Sequence, residues 1–282
     1  MKGKVILITG ATNGIGLATA QALATTGAKL VLVGRNAEKT HQVVADLQKQ
    51  SGNEHIDSLL ADLSSMEEVR KLAADFEAKY DRLDVLINNA GAVFTSRQLS
   101  VDGYEMTFAL NHLNYFLLTN LLIDILRDSA PARIINVSSD AHRGGSMKFD
   151  DLNLEKGFNG FAAYSQSKLA NLLFTYELAR RLDNSGITVN AMHPGMVRTG
   201  FGHNNNFIIS IIMRLFFLAG RTPEQGADTV VYMATSPDLT EVTGKYFKDR
   251  KPIASTAASH DEAAQARFWD ISAEMTGLKV TT

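Results

Sequence analysis

The chain has 282 residues, 45% hydrophobic and 21% charged, with a formal net charge of -2 at pH 7. That length suits one large α/β domain or two small ones, with ample material for a core, and the charge balance gives no reason to expect nucleic acid as a partner. With no cysteine and seven histidines in no ligand spacing such as HExxH, disulfides, thiolate nucleophiles and cysteine zinc sites are excluded, and no metal is expected.

Apolar runs short enough for buried parallel strands alternate with longer segments of helical period. This alternation predicts an α/β fold: a single Rossmann-type domain over residues 1–282, with a doubly wound parallel sheet of about seven strands. The strand candidates are Val5 to Thr9, Lys29 to Val33, Ile56 to Leu60, Val85 to Asn88, Arg133 to Val137, Thr188 to Met192 and a short one near Lys245 to Phe247. Because the first begins by Lys4, no signal peptide or amino-terminal membrane anchor is expected, and the location implied is cytoplasmic.

Between the first strand and the helix-like Leu17 to Leu23 stands Thr9-Gly10-Ala11-Thr12-Asn13-Gly14-Ile15-Gly16. Strand, glycine turn and helix in that order are what a nucleotide pyrophosphate needs. Gly10 allows a sharp turn, Gly14 removes a Cβ where backbone meets phosphate, and Gly16 lets the helix approach the sheet. The helix amino terminus then faces the anion. A turn that binds nothing remains the competing reading at this point.

The second strand ends in Gly34-Arg35-Asn36, about where an acidic residue would hold the ribose hydroxyls of NAD. Arg35 there favours the 2′-phosphate of NADP, unless it is only a solvated strand-end residue. The third strand runs into Asp62-Leu63, after which Ser64 and Glu67 have capping-box spacing. Asp62 is a candidate to accept a hydrogen bond from the adenine amino group, or else a loop carboxylate. The fourth strand ends in Asn88-Asn89-Ala90-Gly91, two amides followed by residues too small to block a cofactor. Met106 to Leu126 reads as one long helix in which Asn111 is either a satisfied core amide or part of a site.

The fifth strand delivers Ser138-Ser139 at its carboxyl end. Tyr164 and Lys168, four residues apart at the opening of a helix that runs to about Leu182, can share one face and one cleft. The sixth strand ends in His193-Pro194-Gly195-Met196-Val197-Arg198-Thr199. His193 there reads as a packing residue, and Pro194 and Gly195 set a turn.

Taken together, the TGxxxGxG turn, Asp62-Leu63, Asn88-Asn89-Ala90-Gly91, Asn111, Ser139, Tyr164-x-x-x-Lys168 and Pro194-Gly195 resemble the short-chain dehydrogenase/reductase family, in family order across most of the chain. Asn111-His112-Leu113, Ser138-Ser139-Asp140-Ala141-His142, Gly244-Lys245-Tyr246-Phe247 and the ending Phe268 to Leu278 are similar to its retinol dehydrogenase-like branch. The resemblance implies an NADP(H)-dependent alcohol dehydrogenase or carbonyl reductase, in which Asn111, Ser139, Tyr164 and Lys168 form the catalytic set. Tyr164 is then the acid or base and Lys168 the cation that favours its phenolate. Ser139 binds the substrate oxygen, and Asn111 holds a water that connects Lys168 to solvent. The implied cofactor contacts are Gly10, Thr12, Asn13, Gly14, Ile15, Gly16, Arg35, Asp62, Leu63, Asn89, Ala90, Gly91, Tyr164, Lys168, Pro194, Gly195, Val197 and Thr199.

The resemblance also implies a substrate lid at about 196–222, which contains the apolar run Phe207 to Leu218, shorter than the roughly 20 residues that span a bilayer and interrupted by Arg214; an ordinary buried helix is the other reading of that run. The lid implies a lipophilic alcohol, aldehyde or ketone as substrate, and weak peripheral membrane contact without a transmembrane anchor. A homodimer or homotetramer fits the resemblance, as does a monomer. Two other readings stand beside it: a nucleotide-sugar epimerase or dehydratase, and a non-catalytic NADP(H)-sensing module.

Overall fold

The structure is a computed structural model that describes residues 1–197 and 220–279. Among the described residues, eight strands form one sheet in the order β3-β2-β1-β4-β5-β6-β7-β8. They are β1 (Val5–Thr9), β2 (Lys29–Gly34), β3 (Ile56–Leu60), β4 (Val85–Asn88), β5 (Ala132–Val137), β6 (Ile187–Met192), β7 (Tyr246–Lys248) and β8 (Lys251–Ile253). Neighbours run parallel from β3 to β7, and only β8 pairs antiparallel. Its Pro252 sits opposite Phe247, tolerable because an edge strand need not donate on its outer side. A three-residue strand that contains proline carries no apolar run, which is why the sequence predicts about seven strands.

Period-two alternation sends successive strand residues into two cores. Val5 and Leu7 of β1, Val31 and Val33 of β2 and Ile134 of β5 pack on one face. Ile6 and Ile8, Leu30 and Leu32, and Ile135 pack on the other. Helices α1 (Gly14–Ala24), α2 (Ala37–Ser51) and α8 (Pro223–Thr235) cover the second face. The first is covered by α3 (Met66–Lys79), α5 (Asn114–Leu121), α7 (Gly160–Arg181) and α9 (Glu262–Thr276). Strand order reverses beside β1, so a crevice opens at the carboxyl ends of β1 and β4, where sheets of this kind bind ligands.

Two local expectations change. The cap of α3 is Ser65, whose hydroxyl accepts from the Glu68 backbone N–H at 3.3 Å. The Glu68 carboxylate instead accepts the Asp62 N–H at 2.6 Å, so the cap is one residue later than the Ser64 and Glu67 spacing predicts. The single helix expected over Met106 to Leu126 is divided into α4 (Met106–Phe108), a π-helical turn at Ala109–Leu113, α5, and α6 (Ile123–Asp128). The Asn114 side chain donates back to the Leu110 carbonyl within that turn, a competition with the backbone ladder that apolar periodicity does not register.

Candidate active site

The crevice holds a cleft of about 790 Å³ that runs from the glycine turn past the ends of β2 and β3 to the amino-terminal part of α7. Gly10 takes φ +65°, and a Cβ there would lie 2.9 Å from the Ala90 Cα, so both the left-handed backbone and the close approach require glycine. At Gly16 a Cβ would lie 2.3 Å from the Gly10 carbonyl oxygen and 2.5 Å from the Asn89 Nδ2. Gly16 therefore does not line the cleft; its part is the close approach of α1 to the turn. Thr12, Asn13, Gly14 and Ile15 do line it. Asn13 is also the cap of α1, with Oδ1 accepting from the Gly14 N–H at 2.9 Å.

Beyond the turn, Arg35 Nη1 lies 3.3 Å from Asp62 Oδ2, so the two sequence candidates on β2 and β3 meet in space. Burial alone would raise the Asp62 pKa, but hydrogen bonds from Ser64 and the Arg35 cation hold it below the ordinary value. Leu63 lines the same wall. So does Lys39, which the sequence reading missed. The signal was available: Lys39 is the third residue of α2 after its Asn36 cap, and a cation in a first helical turn is disfavoured by the helix dipole unless an anion joins it.

On the β4 side Asn89 reaches inward, its Nδ2 donating to the carbonyls of Thr9 at 2.8 Å and Gly10 at 3.3 Å. It braces the glycine turn from within the cleft wall. Ala90 and Gly91 follow along the floor. Behind Gly91, a Cβ would meet Asn111 Oδ1 at 3.1 Å and the Lys168 amine at 3.6 Å. The Asn111 amide is fully engaged: it donates to the Ala92 carbonyl and the Ser167 Oγ, each at 3.0 Å, and accepts from the Ala92 N–H at 2.8 Å.

Helix α7 begins at Gly160 behind an Asn159 cap, one turn before Tyr164. Gly160 is pressed against the loop after β4, where a Cβ would lie 2.4 Å from the Phe94 carbonyl oxygen. That contact carries Tyr164 and Lys168 to the cleft. The two serines separate: Ser138 Oγ donates to the Lys168 carbonyl at 2.8 Å, while Ser139 shares a hydrogen bond with the Tyr164 phenol. Ser139 also caps the 3-10 turn Asp140–Gly144, accepting from the Ala141 N–H at 3.2 Å. The Lys168 amine donates to the Val137 carbonyl at 3.0 Å and lies 5.6 Å from the Tyr164 ring centroid.

Burial dominates the electrostatics of this set. It pushes the Tyr164 phenol up to about 12, moderated only by Ser139. It pulls the Lys168 amine down to about 7. The protein alone therefore holds a neutral phenol ready to give up a proton, rather than a phenolate.

Pro194, Gly195, Met196 and Val197 close the cleft on the β6 side. Val197 forms a parallel bridge with Arg221, and the Arg221 N–H donates to the Met196 carbonyl at 2.7 Å. Thr199 and the apolar run Phe207 to Leu218 lie outside the described residues. Among the described residues, no cluster of His, Asp or Glu could hold a metal and no helix is long and apolar enough to cross a membrane.

The short chain dehydrogenase family pattern matches residues 4–207. Human Retinol dehydrogenase 13 is 43% identical over 98% of this chain and 86% of its own length. Among solved structures, the Pseudomonas aeruginosa RhlG/NADP active-site complex is 29% identical with a TM-score of 0.70, covering 88% of this chain and 94% of that one. A short chain dehydrogenase from Burkholderia cenocepacia J2315 in complex with NADP is 25% identical with a TM-score of 0.69, over 87% and 96% of the two chains. With the glycine turn, the paired Ser139 and Tyr164, and the adjacent Lys168 in one cleft, the chain belongs to the short-chain dehydrogenase family of oxidoreductases, with retinol dehydrogenases among its relatives.

Proposed function

We propose that the protein is an NADP(H)-dependent oxidoreductase that interconverts a lipophilic alcohol and its aldehyde or ketone. The cofactor fits the residues present: a glycine-lined cradle at the amino terminus of α1 suits a pyrophosphate, and Arg35 with Lys39 suits a 2′-phosphate. When bound, NADP(H) supplies or accepts the hydride. This chain's own residues do the rest. Ser139 hydrogen-bonds the substrate oxygen, and Tyr164 gives it a proton in reduction or takes one in oxidation. Lys168, between Val137 and Gly91, places positive charge beside the phenol in its protonated form and binds the nicotinamide ribose. The π turn at Asn111 holds the water by which Lys168 exchanges protons with solvent.

The observation that carries the substrate class is the composition of the mouth. Phe94, Met106, Leu110, Phe161 and Met196 line it, while Ser139 and Tyr164 stand at its inner end. Phe161 is 66% exposed and Met196 50%, large apolar groups left open to water beside a reactive oxygen site. Across straight-chain aldehydes, kcat/KM should rise with chain length, each well-buried methylene being worth at most about 0.8 kcal/mol. A flat series, or a preference for small polar sugars, rejects this substrate class. The mouth also admits weak contact with a membrane interface, and vesicle co-sedimentation tests that directly.

Cofactor choice gives a second expected result. Arg35→Ser should weaken NADPH binding roughly 10- to 100-fold, the range for losing a hydrogen-bonded charge, and leave NADH binding nearly unchanged. Fluorescence titration with both cofactors checks it. Equal losses for the two would remove Arg35 from the 2′-phosphate site.

A further inference from the structure

We propose that His193 and Asp140 form a lock on the backbone that presents Ser139, which makes both of them positioning residues for the substrate oxygen. The proposal rests on the reading of Ser139 given above. His193 follows β6 and Asp140 follows Ser139 after β5, so the lock joins neighbouring strand ends in the lining of the cleft, where both residues appear.

The hydrogen bonds determine the tautomer. His193 Nδ1 accepts the Asp140 backbone N–H at 3.2 Å, so this nitrogen carries the lone pair. The ring proton of a neutral imidazole is then on Nε2, which lies 3.2 Å from Asp140 Oδ2 and donates to it. One ring thus grips both the backbone and the side chain of the residue after Ser139. Burial, then the cations Lys248 and Arg221 and the nearby His142, hold the His193 pKa down to about 4 against the pull of Asp140. The neutral ring that the geometry requires is therefore the form present at neutral pH.

Asp140 is anchored from its other side by β7. The Tyr246 hydroxyl donates to Oδ1 at 3.3 Å, and the Lys248 amine lies 3.2 Å from Oδ2. Arg143 Nε stands 3.6 Å from Oδ1. The reason for such a clamp lies in the chain path. Ser139 has extended backbone, φ -162° and ψ 153°, and the chain bends at once into the short Asp140–Gly144 turn. Besides its hydrogen bond with the Tyr164 phenol, the other ties of Ser139 are its Oγ to the Ala141 N–H and its carbonyl to the His142 ring and N–H. Both lie inside the turn and move with it, so beyond Ser138, which is held to β6 and to α7, the direction of the Ser139 side chain toward its Tyr164 partner depends on where the Asp140 backbone is fixed. Small misplacements of a reacting group are costly to rate, which is what gives this lock catalytic consequence.

The test uses the whole protein, NADPH and a good aldehyde substrate. His193→Leu should lower kcat roughly 10- to 100-fold, change the NADPH dissociation constant less than about twofold, and speed amide hydrogen exchange across residues 139–144 in the cofactor-free protein. His193→Gln, whose amide can accept from the Asp140 N–H and donate to its carboxylate, should recover most of the rate. Asp140→Leu, which keeps the backbone donor to His193 and loses the carboxylate, should lower kcat in the same direction, Asp140→Asn should be milder because it keeps an acceptor, and the double leucine variant should lose less than the product of the two single losses. Unchanged kcat in both leucine variants, a glutamine variant as poor as leucine, or additive losses would each overturn the lock. Should His193→Leu fail to fold, Asp140→Leu at the half-buried rim decides alone. Ser139→Ala separates the two claims: if it retains full turnover the reading of Ser139 fails, whereas a dead Ser139→Ala beside fully active leucine variants rejects only the lock.

Discussion

Tyr164→Phe is expected to lose about 10²- to 10⁴-fold in kcat, the range for removing a positioned general acid or base, while NADPH affinity stays within about twofold. The ring remains in place above Lys168, so packing is conserved and only the exchangeable proton is lost. The phenol, pushed up to about 12 by burial, also sets the sign of the pH dependence. Reduction needs the protonated phenol, so ionisation of the phenol should lower its kcat only at high pH, apart from any change near neutrality as Lys168, pulled down to about 7, loses its proton. Oxidation needs the phenolate, so its rate should rise by up to about tenfold per pH unit below that ionisation. A cofactor or substrate that lowers the phenol pKa moves both limbs together to lower pH without changing their signs. Steady-state rates in both directions across the pH range check this, and near-wild-type kcat in Tyr164→Phe would reject the mechanism.

Trp269→Ala is expected to destabilise the fold by about 3–5 kcal/mol, as for other buried large-to-small aromatic changes. Trp269 is 5% exposed on α9 and packs edge-on to Phe116 of α5, with ring centroids 4.9 Å apart. It stacks near Phe174 of α7 at 6.0 Å, and the Arg181 guanidinium lies 4.3 Å from its ring centroid. One side chain therefore joins three helices, and its removal leaves a cavity among them. A fall in Tm on the order of 10 °C should follow, measured by calorimetry. Trp269→Phe should cost much less: it keeps most of the ring and removes a buried indole N–H that has no hydrogen-bond partner among the described residues. Equal losses in the two variants would show that the indole itself matters.

The same helix reaches the π turn that carries Asn111. Ser272 of α9 lies 3.0 Å from the Nε2 of His112, a fully buried ring within the π turn beside Asn111. Nothing in the local pattern around His112 points to a partner 160 residues away.

Local chemistry made the alternation of strands and helices legible, because buried parallel strands need unbroken apolar runs and the covering helices need a 3.6-residue stripe. It also placed the glycine turn, since a left-handed Gly10 and a Cβ-free Gly16 are demands that one residue type meets. The spacing of Tyr164 and Lys168 put them on one face for the same reason: helical geometry is periodic. Tertiary contacts decided what periodicity does not encode. At the π turn around Asn111 the Asn114 side chain takes a backbone carbonyl, and β8 exists because β7 offers it an edge. Lys39 enters the cleft because α2 starts beside the Arg35 and Asp62 pair. His193, in sequence an ordinary strand-end residue, finds its partner in Asp140, in the turn that follows the neighbouring strand. Sequence determines which groups a segment can offer; which of them become partners depends on distances between segments far apart in the chain, and those distances arise only when the sheet and its helices pack.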